Sequence, residues 1–197
     1  MKTGLFFGSF NPVHIGHLVL ANYMIEYTDL NEIWFVISPH NPLKKKESLL
    51  NDHTRLDLLE LAIEDDKRFR ICDVEFHMPK PSYTIDTLAY LSEKYKKNSF
   101  YIIMGSDGLP TFHKWKNYEM IISGYHRIIY PRHTEIEIDY RLHPNITLLK
   151  EAPKIEISSS FIRNAISEGK NIRYFLPSKV YNYIMKHGLY ERKAGSS

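Results

Sequence analysis

Two histidines three residues apart, His14 and His17, lie in a loop that reads GSFNPVHIGH from Gly8 to His17. An imidazole can donate an N–H to a phosphate oxygen, and its charged form adds attraction near neutral pH. Three-residue spacing on a helix puts both rings on one face. Gly8 suits the tight turn out of a strand, Pro12 stiffens the loop, and Gly16 offers no side chain to block a ligand. The loop follows an apolar run, Leu5-Phe6-Phe7, and leads into Leu18 to Met24, which reads as a helix. A strand–turn–helix junction offers an anion the unpaired amides and the positive dipole end of the helix. The chemistry indicated is the binding of phosphate.

Further sets of residues have similar potential. Ser159 and Ser160 stand at the predicted start of a helix, where their amides and hydroxyls can hold phosphate oxygens. Arg163 follows Ser160 by three, on the same face, and a guanidinium makes forked hydrogen bonds to phosphate. Taken alone, a lone histidine is more often a cap or core residue, and a serine cap with a solvated arginine is ordinary. Gly105-Ser106-Asp107 follows another apolar run, and the Asp107 carboxylate suits a ribose hydroxyl. Tyr83 and Thr84 begin a predicted helix, whose amides suit an anion. Trp115 offers a flat aromatic face, with a core position on an amphipathic helix as the plainer alternative. Lys44, Lys45 and Lys46 form a basic loop, phosphate-binding or simply solvated.

The elements that must position these residues alternate along the chain. Apolar runs predict strands over residues 2–7, 32–38, 70–74, 99–104, 127–130 and 146–149. Helical spacing predicts helices from His14 or Ile15 to Tyr27, and over 52–64, 84–95, 115–122, 158–168 and 178–187. Asp52 is a candidate N-cap, Gly169 a C-cap, and Gly188 ends the last helix. The stretch 133–144 is polar and irregular. The fold class expected is α/β: a Rossmann-like, doubly wound, mainly parallel sheet with helices on both faces, plus a small C-terminal helical portion. Ligands on such sheets bind outside the carboxyl ends of the strands. Gly8, Pro39 and Gly105 all fall at such ends and are expected to converge on one cleft. One domain over 1–192 and a loose tail over 193–197 are expected.

Bulk properties narrow the function classes. The chain has 197 residues, 43% hydrophobic and 25% charged, which is ordinary for a globular protein able to bury a core. A formal net charge of +3 suits small polyanions without demanding nucleic acid. One cysteine, Cys72, excludes an intramolecular disulfide and a cysteine-rich zinc site and fits a reducing cytoplasm. No signal peptide and no membrane-spanning run is legible. A homo-oligomer is compatible with the chain, though no self-complementary patch is legible.

The loop GSFNPVHIGH matches the G-x-F-x-P-x-H-x-G-H signature of the nucleotidyltransferase superfamily of α/β phosphodiesterases. Residues 157–163, ISSSFIR, resemble that superfamily's I-S-S-T-x-I-R, with Ser160 where Thr is usual and the hydroxyl retained. Within the superfamily the chain resembles the bacterial nicotinate-nucleotide adenylyltransferases, through residues 82–88 (SYTIDTL), Gly105-Ser106-Asp107, Phe112 to Trp115, and the tail from Leu176 to Tyr190. The resemblance implies adenylyl transfer from ATP to nicotinate mononucleotide, giving deamido-NAD and pyrophosphate in NAD biosynthesis. It implies that His14, His17 and Arg163 are catalytic. Gly8, Ser9, Phe10, Gly16, Lys44, Gly105, Asp107, Ser159 and Ser160 would serve ATP, and Tyr83, Thr84 and Trp115 the nicotinate nucleotide. Mg2+ is expected with ATP, with no dedicated protein metal site; nucleic acid and membrane are not expected as partners.

Rival readings remain at this level. Pantetheine-phosphate adenylyltransferase-like and cytidylyltransferase-like members share the histidine motif, but the Tyr83 and Trp115 stretches argue against them. A fragment of a class I aminoacyl-tRNA synthetase would need a KMSKS-like loop, which the chain lacks. A non-catalytic ATP sensor would not need the combination of His14, His17 and Arg163.

Overall fold

The computed structural model describes residues 1–39, 49–132 and 145–192. Six strands form one sheet: β1 (Lys2–Gly8), β2 (Glu32–Ile37), β3 (Phe69–Cys72), β4 (Ser99–Gly105), β5 (His126–Tyr130) and β6 (Ile146–Leu148). Their order is β3-β2-β1-β4-β5-β6 and every neighbouring pair is parallel. The chain therefore starts at the centre of the sheet, winds outward to β3, returns beside β1, and winds outward again. The direction of winding reverses between β1 and β4, where an open parallel sheet leaves a crevice at its carboxyl edge.

Side chains alternate across each strand, so successive residues feed two cores. Phe6, Ile33, Phe35, Ile37 and Ile103 face one layer, made by α1 (Ile15–Tyr27), α2 (Asp52–Ile63), α5 (Ser159–Ser167) and α6 (Ser178–Lys186). Leu5, Trp34, Val36, Ile102 and Met104 face the other, made by α3 (Thr84–Lys94), Leu109, Phe112 and α4 (Tyr118–Gly124). β2 is buried along its whole length, as its unbroken apolar run requires. The C-terminal helices join the α1–α2 layer, and this brings the Ser159 stretch beside the loop after β1.

Two local expectations are corrected. Asp52 does not cap α2. The cap is Asn51, whose Oδ1 accepts from the Thr54 amide at 2.8 Å, which leaves the Asp52 carboxylate in the first turn. Residues 115–122 are not one helix: a 3-10 helix runs over Ser106–Lys114, Asn117 takes a left-handed conformation (φ 50), and α4 begins only at Tyr118. Pro110 sits inside the 3-10 segment, where its missing N–H is incompatible with a regular α-helix interior. Gly169 (φ 69) and Gly188 (φ 56) end their helices in the left-handed region as expected. Among the described residues no helix is long and apolar enough to cross a membrane.

Candidate active site

A cleft of about 570 Å³ opens at the carboxyl edge, lined by Gly8, Ser9, Phe10, Asn11, His14, Gly16, His17, Ser158, Ser159, Ser160 and Arg163, with Tyr130 and Arg132 from the end of β5. Two stretches far apart in sequence thus form its opposing walls. They are also bonded to each other. Ser159 Oγ donates to the Pro12 carbonyl (2.8 Å), and Arg163 Nη1 donates to the Asn11 carbonyl (2.8 Å) while Nη2 donates to Ser160 Oγ (3.1 Å). Ser158, the residue before α5, accepts from the Phe161 amide and starts the helix. Burial lowers the Arg163 guanidinium from its ordinary value, but it remains a cation at neutral pH.

The left-handed residue of the first loop is Phe10 (φ 43), not Gly8. For a bulky side chain that conformation costs about 1–3 kcal/mol and persists only when surroundings enforce it. Here the ring is buried against Phe6, Phe35 and His17, with centroids 5.1–6.0 Å away. Gly8 is glycine for space: a Cβ there would stand 2.9 Å from the Phe10 ring. Gly16 likewise yields its space to the protein itself. A Cβ would meet Ile155 Cγ2 at 2.7 Å and His14 Nδ1 at 3.0 Å, so glycine lets the His14 ring pack against the chain that leads to α5.

The two imidazoles stack, with centroids 3.7 Å apart and planes at 30°. His17 Nδ1 accepts from the His14 amide at 3.2 Å, which puts the proton of neutral His17 on Nε2. His14 is 4% exposed, and its Nδ1 is buried with no hydrogen-bond partner among the described residues. Burial, and secondarily the charge of Arg132, lowers the His14 imidazole from 6.5 to about 4. At neutral pH His14 is therefore a neutral hydrogen-bonding group rather than the charged form that would add attraction. This has a measurable sign. Below pH 6.5 the unfolded chain takes up a proton that folded His14 refuses until about pH 4, so stability falls across that window. The loss is at most about 3 kcal/mol. Denaturant titrations from pH 7 downward should show His14→Asn losing less stability than wild type; parallel curves would remove His14 as the source.

Other expected site residues stand apart from the cleft wall. Asp107 pairs with Arg132 at 3.3 Å, beside Gly105, so its carboxylate is engaged by a guanidinium. Tyr83 and Thr84 begin α3, and Trp115 follows the 3-10 segment; none of the three lines the cleft. They gather on the opposite face of the same carboxyl edge. Lys116 lies 4.8 Å over the Tyr83 ring and pairs with Asp86 at 2.8 Å, which joins the two segments. Trp115 packs partly into the core against Phe112, centroids 5.0 Å apart, and is not on a helix. Lys44, Lys45 and Lys46 lie outside the described residues. Among the described residues no cluster of three or more His, Cys, Asp or Glu side chains could hold a metal ion. The Cys72 thiol is buried and pushed up to about 11, so it is no nucleophile.

Sequence reasoning missed three contributors. Arg132 lies just beyond the end of β5, and a basic residue at a strand's carboxyl end was the available signal. Asn11 is 3% exposed; besides the Arg163 bond to its carbonyl, its Oδ1 accepts from the Tyr190 hydroxyl (2.8 Å) and the Leu50 amide (3.3 Å). Burial pushes the Tyr190 phenol up, consistent with its acting as a donor. Glu75, 3% exposed, accepts from the Ser82 and Thr87 hydroxyls, each at 2.9 Å, and so braces the start of α3.

Comparison with known proteins gives the site its setting. The family model described as cytidylyltransferase-like matches residues 5–165. A probable nicotinate-nucleotide adenylyltransferase of Flavobacterium johnsoniae is 49% identical over 194 residues, 98% of this chain and 100% of that one. The chain belongs to the nicotinate-nucleotide adenylyltransferase family. A second member, the probable enzyme of Bacteroides thetaiotaomicron, is also 49% identical over 187 residues, covering 95% of this chain and 92% of the relative. The fold of the family is seen in the Plasmodium falciparum nicotinic acid mononucleotide adenylyltransferase complexed with NaAD (TM-score 0.82, 24% identity, 96% and 97% of the two chains).

Proposed function

We infer that the clamp between the loop after β1 and the start of α5 performs the reaction of this nucleotidyltransferase family: adenylyl transfer from ATP to nicotinate mononucleotide, giving deamido-NAD and pyrophosphate. The observation that carries this reading is the bonding of Arg163 and Ser159 to the very loop that bears His14 and His17. The nucleophile is a phosphate oxygen already ionised at neutral pH, so the reaction needs no general base and no covalent intermediate. It needs two polyanions held in line and charge neutralised on the α-phosphate and the leaving pyrophosphate. His14 and His17 hold the triphosphate from the loop side. Gly8, Ser9, Phe10 and Gly16 shape that wall. Ser159 and Ser160 at the α5 start and Arg163 hold the β- and γ-phosphates and the departing pyrophosphate from the other side.

Gly105 and Asp107 serve the ribose side of ATP, with Asp107 exchanging its Arg132 partner for a hydroxyl, and Lys44 adds charge near the phosphates. Tyr83, Thr84 and Trp115 serve the nicotinate nucleotide: the α3 amides meet the carboxylate and the indole covers the ring. Mg2+ arrives on the phosphates of ATP, where it would screen their charge. We read residues 1–192 as one domain, with 193–197 as a tail, acting in the cytoplasm on small molecules rather than on nucleic acid or a membrane.

Pyrophosphate release from ATP tests the reading. Addition of nicotinate mononucleotide should start turnover, while pantetheine phosphate, or CTP in place of ATP, should not. A carboxylate gains more from the α3 amides than a carboxamide, which brings its own NH2 donors to other donors. The kcat/KM for nicotinate mononucleotide should therefore exceed that for the nicotinamide form. Equal values would dismiss this account of acid selectivity while leaving the transfer reaction in place.

A further inference from the structure

Arg55 is fully buried behind the phosphate loop and is absent from the cleft wall. All five of its N–H donors are used. Nη1 donates to the Ser9 carbonyl (2.7 Å) and the Ser38 carbonyl (2.8 Å). Nη2 donates to the Pro39 carbonyl (3.3 Å) and to Asp52 Oδ1 (2.5 Å), and Nε to the Leu50 carbonyl (3.2 Å). Burial lowers its affinity for its proton, with Asp52 opposing that loss. A buried cation is costly, and a well-packed apolar side chain would serve stability at least as well. Four of the five bonds go to neutral backbone carbonyls, and those carbonyls belong to the loops at the carboxyl ends of β1 and β2 and the lead into α2. The arrangement is that of a template for loop shape.

We propose that Arg55 is a positioning residue for adenylyl transfer, acting through the loop after β1; this rests on reading that loop as the wall of the ATP site. A trans peptide points its C=O and N–H in opposite directions. Pinning the Ser9 carbonyl onto Arg55 turns the Phe10 N–H away from the guanidinium, toward the side where Ser9 and Phe10 line the cleft. The same bond helps hold Phe10 at φ 43, from which the chain reaches His14 and His17. Because Arg55 also grips the carbonyls of Ser38 and Pro39, it fixes the spacing between two loops beyond the last backbone bond between them, from the Ser38 amide to the Gly8 carbonyl (3.0 Å). Lysine cannot replace it, since a single ammonium cannot span four carbonyls in one plane.

The test uses the full chain with saturating ATP and nicotinate mononucleotide. Arg55→Lys should lower kcat by up to about 100-fold, the effect of displacing reacting groups by about 1 Å. KM for ATP should rise, KM for the mononucleotide should stay near wild type, and added guanidinium ion should restore part of the kcat of Arg55→Ala. Asp52→Asn, which keeps the arginine and removes its counter-ion, serves if neither Arg55 variant folds; it should lower kcat less, scored per folded molecule. Wild-type kcat per folded molecule in the folded variants, even with a lowered melting temperature, would overturn the proposal and leave Arg55 a structural residue. Failure of the underlying ATP reading looks different, because the unsubstituted protein would then release no pyrophosphate.

Discussion

His17→Ala is expected to lower kcat by about 10²–10³-fold, the cost of removing one donor aimed at charge that grows in the transition state. His17 lines the cleft and accepts from the His14 amide through Nδ1, which leaves the proton on Nε2. Its neighbour His14 is neutral at neutral pH, held at about 4 by burial and by Arg132. The loop therefore carries a neutral imidazole at position 14, and among the described residues the cations on the cleft wall are Arg132 and Arg163. An arriving polyanion supplies the countercharge that favours protonated imidazole, so the attraction grows as the nucleotide seats and as negative charge shifts toward the leaving group. An interaction that strengthens in this way appears in kcat more than in KM. His17→Asn separates packing from chemistry: its amide oxygen can accept from the His14 amide, but it offers no imidazole N–H. Both variants should be slow, with His17→Asn closer to wild type in thermal midpoint. A wild-type kcat in either folded variant would take His17 out of the mechanism.

Arg163→Ala should be slower still, by about 10³-fold or more, the scale seen when an arginine that neutralises a phosphoryl transition state is lost. Arg163→Lys should recover little of this. The guanidinium bridges the Asn11 carbonyl at 2.8 Å and Ser160 Oγ at 3.1 Å while lining the phosphate cleft, and an ammonium cannot hold both partners and a phosphate in one planar fork. Because the bond to the Asn11 carbonyl staples α5 to the first loop, the substitution should also cost stability, about 1 kcal/mol for that bond. The two effects can be separated by scoring kcat per folded molecule well below the melting transition. If kcat follows the folded fraction alone, Arg163 is a staple and not a catalytic residue.

Much of this molecule was legible in its residues. The runs at Leu5-Phe6-Phe7, residues 33–37 and residues 100–104 read as strands, with such runs suiting a central parallel position, and the structure pairs them with one another. Ser158 and Gly169 mark the ends of α5 within a residue of expectation, because caps act through bonds spanning three or four residues. Of Gly8, Pro39 and Gly105, expected to converge on one cleft, only Gly8 lines it, while Tyr83 and Trp115 gather on the other face of the sheet edge. The 3-10 path of residues 106–114 also escaped, because an apolar pattern cannot register how Pro110 and the left-handed Asn117 break up a helix.

What the sequence by itself determined was local: which stretches are strands and helices, which strand–helix junction bears the histidine motif, and to which family of catalysts its spacing belongs. The tertiary structure alone decided the state of that site. His14 is neutral because of what packs over it, and Arg132 reaches it from the end of β5, more than a hundred residues away. Arg55 holds the loop after β1 through a carbonyl 46 positions earlier in the chain. Desolvation and long-range hydrogen bonds depend on the neighbours brought together by the sheet's winding, and no periodicity within a single segment encodes them.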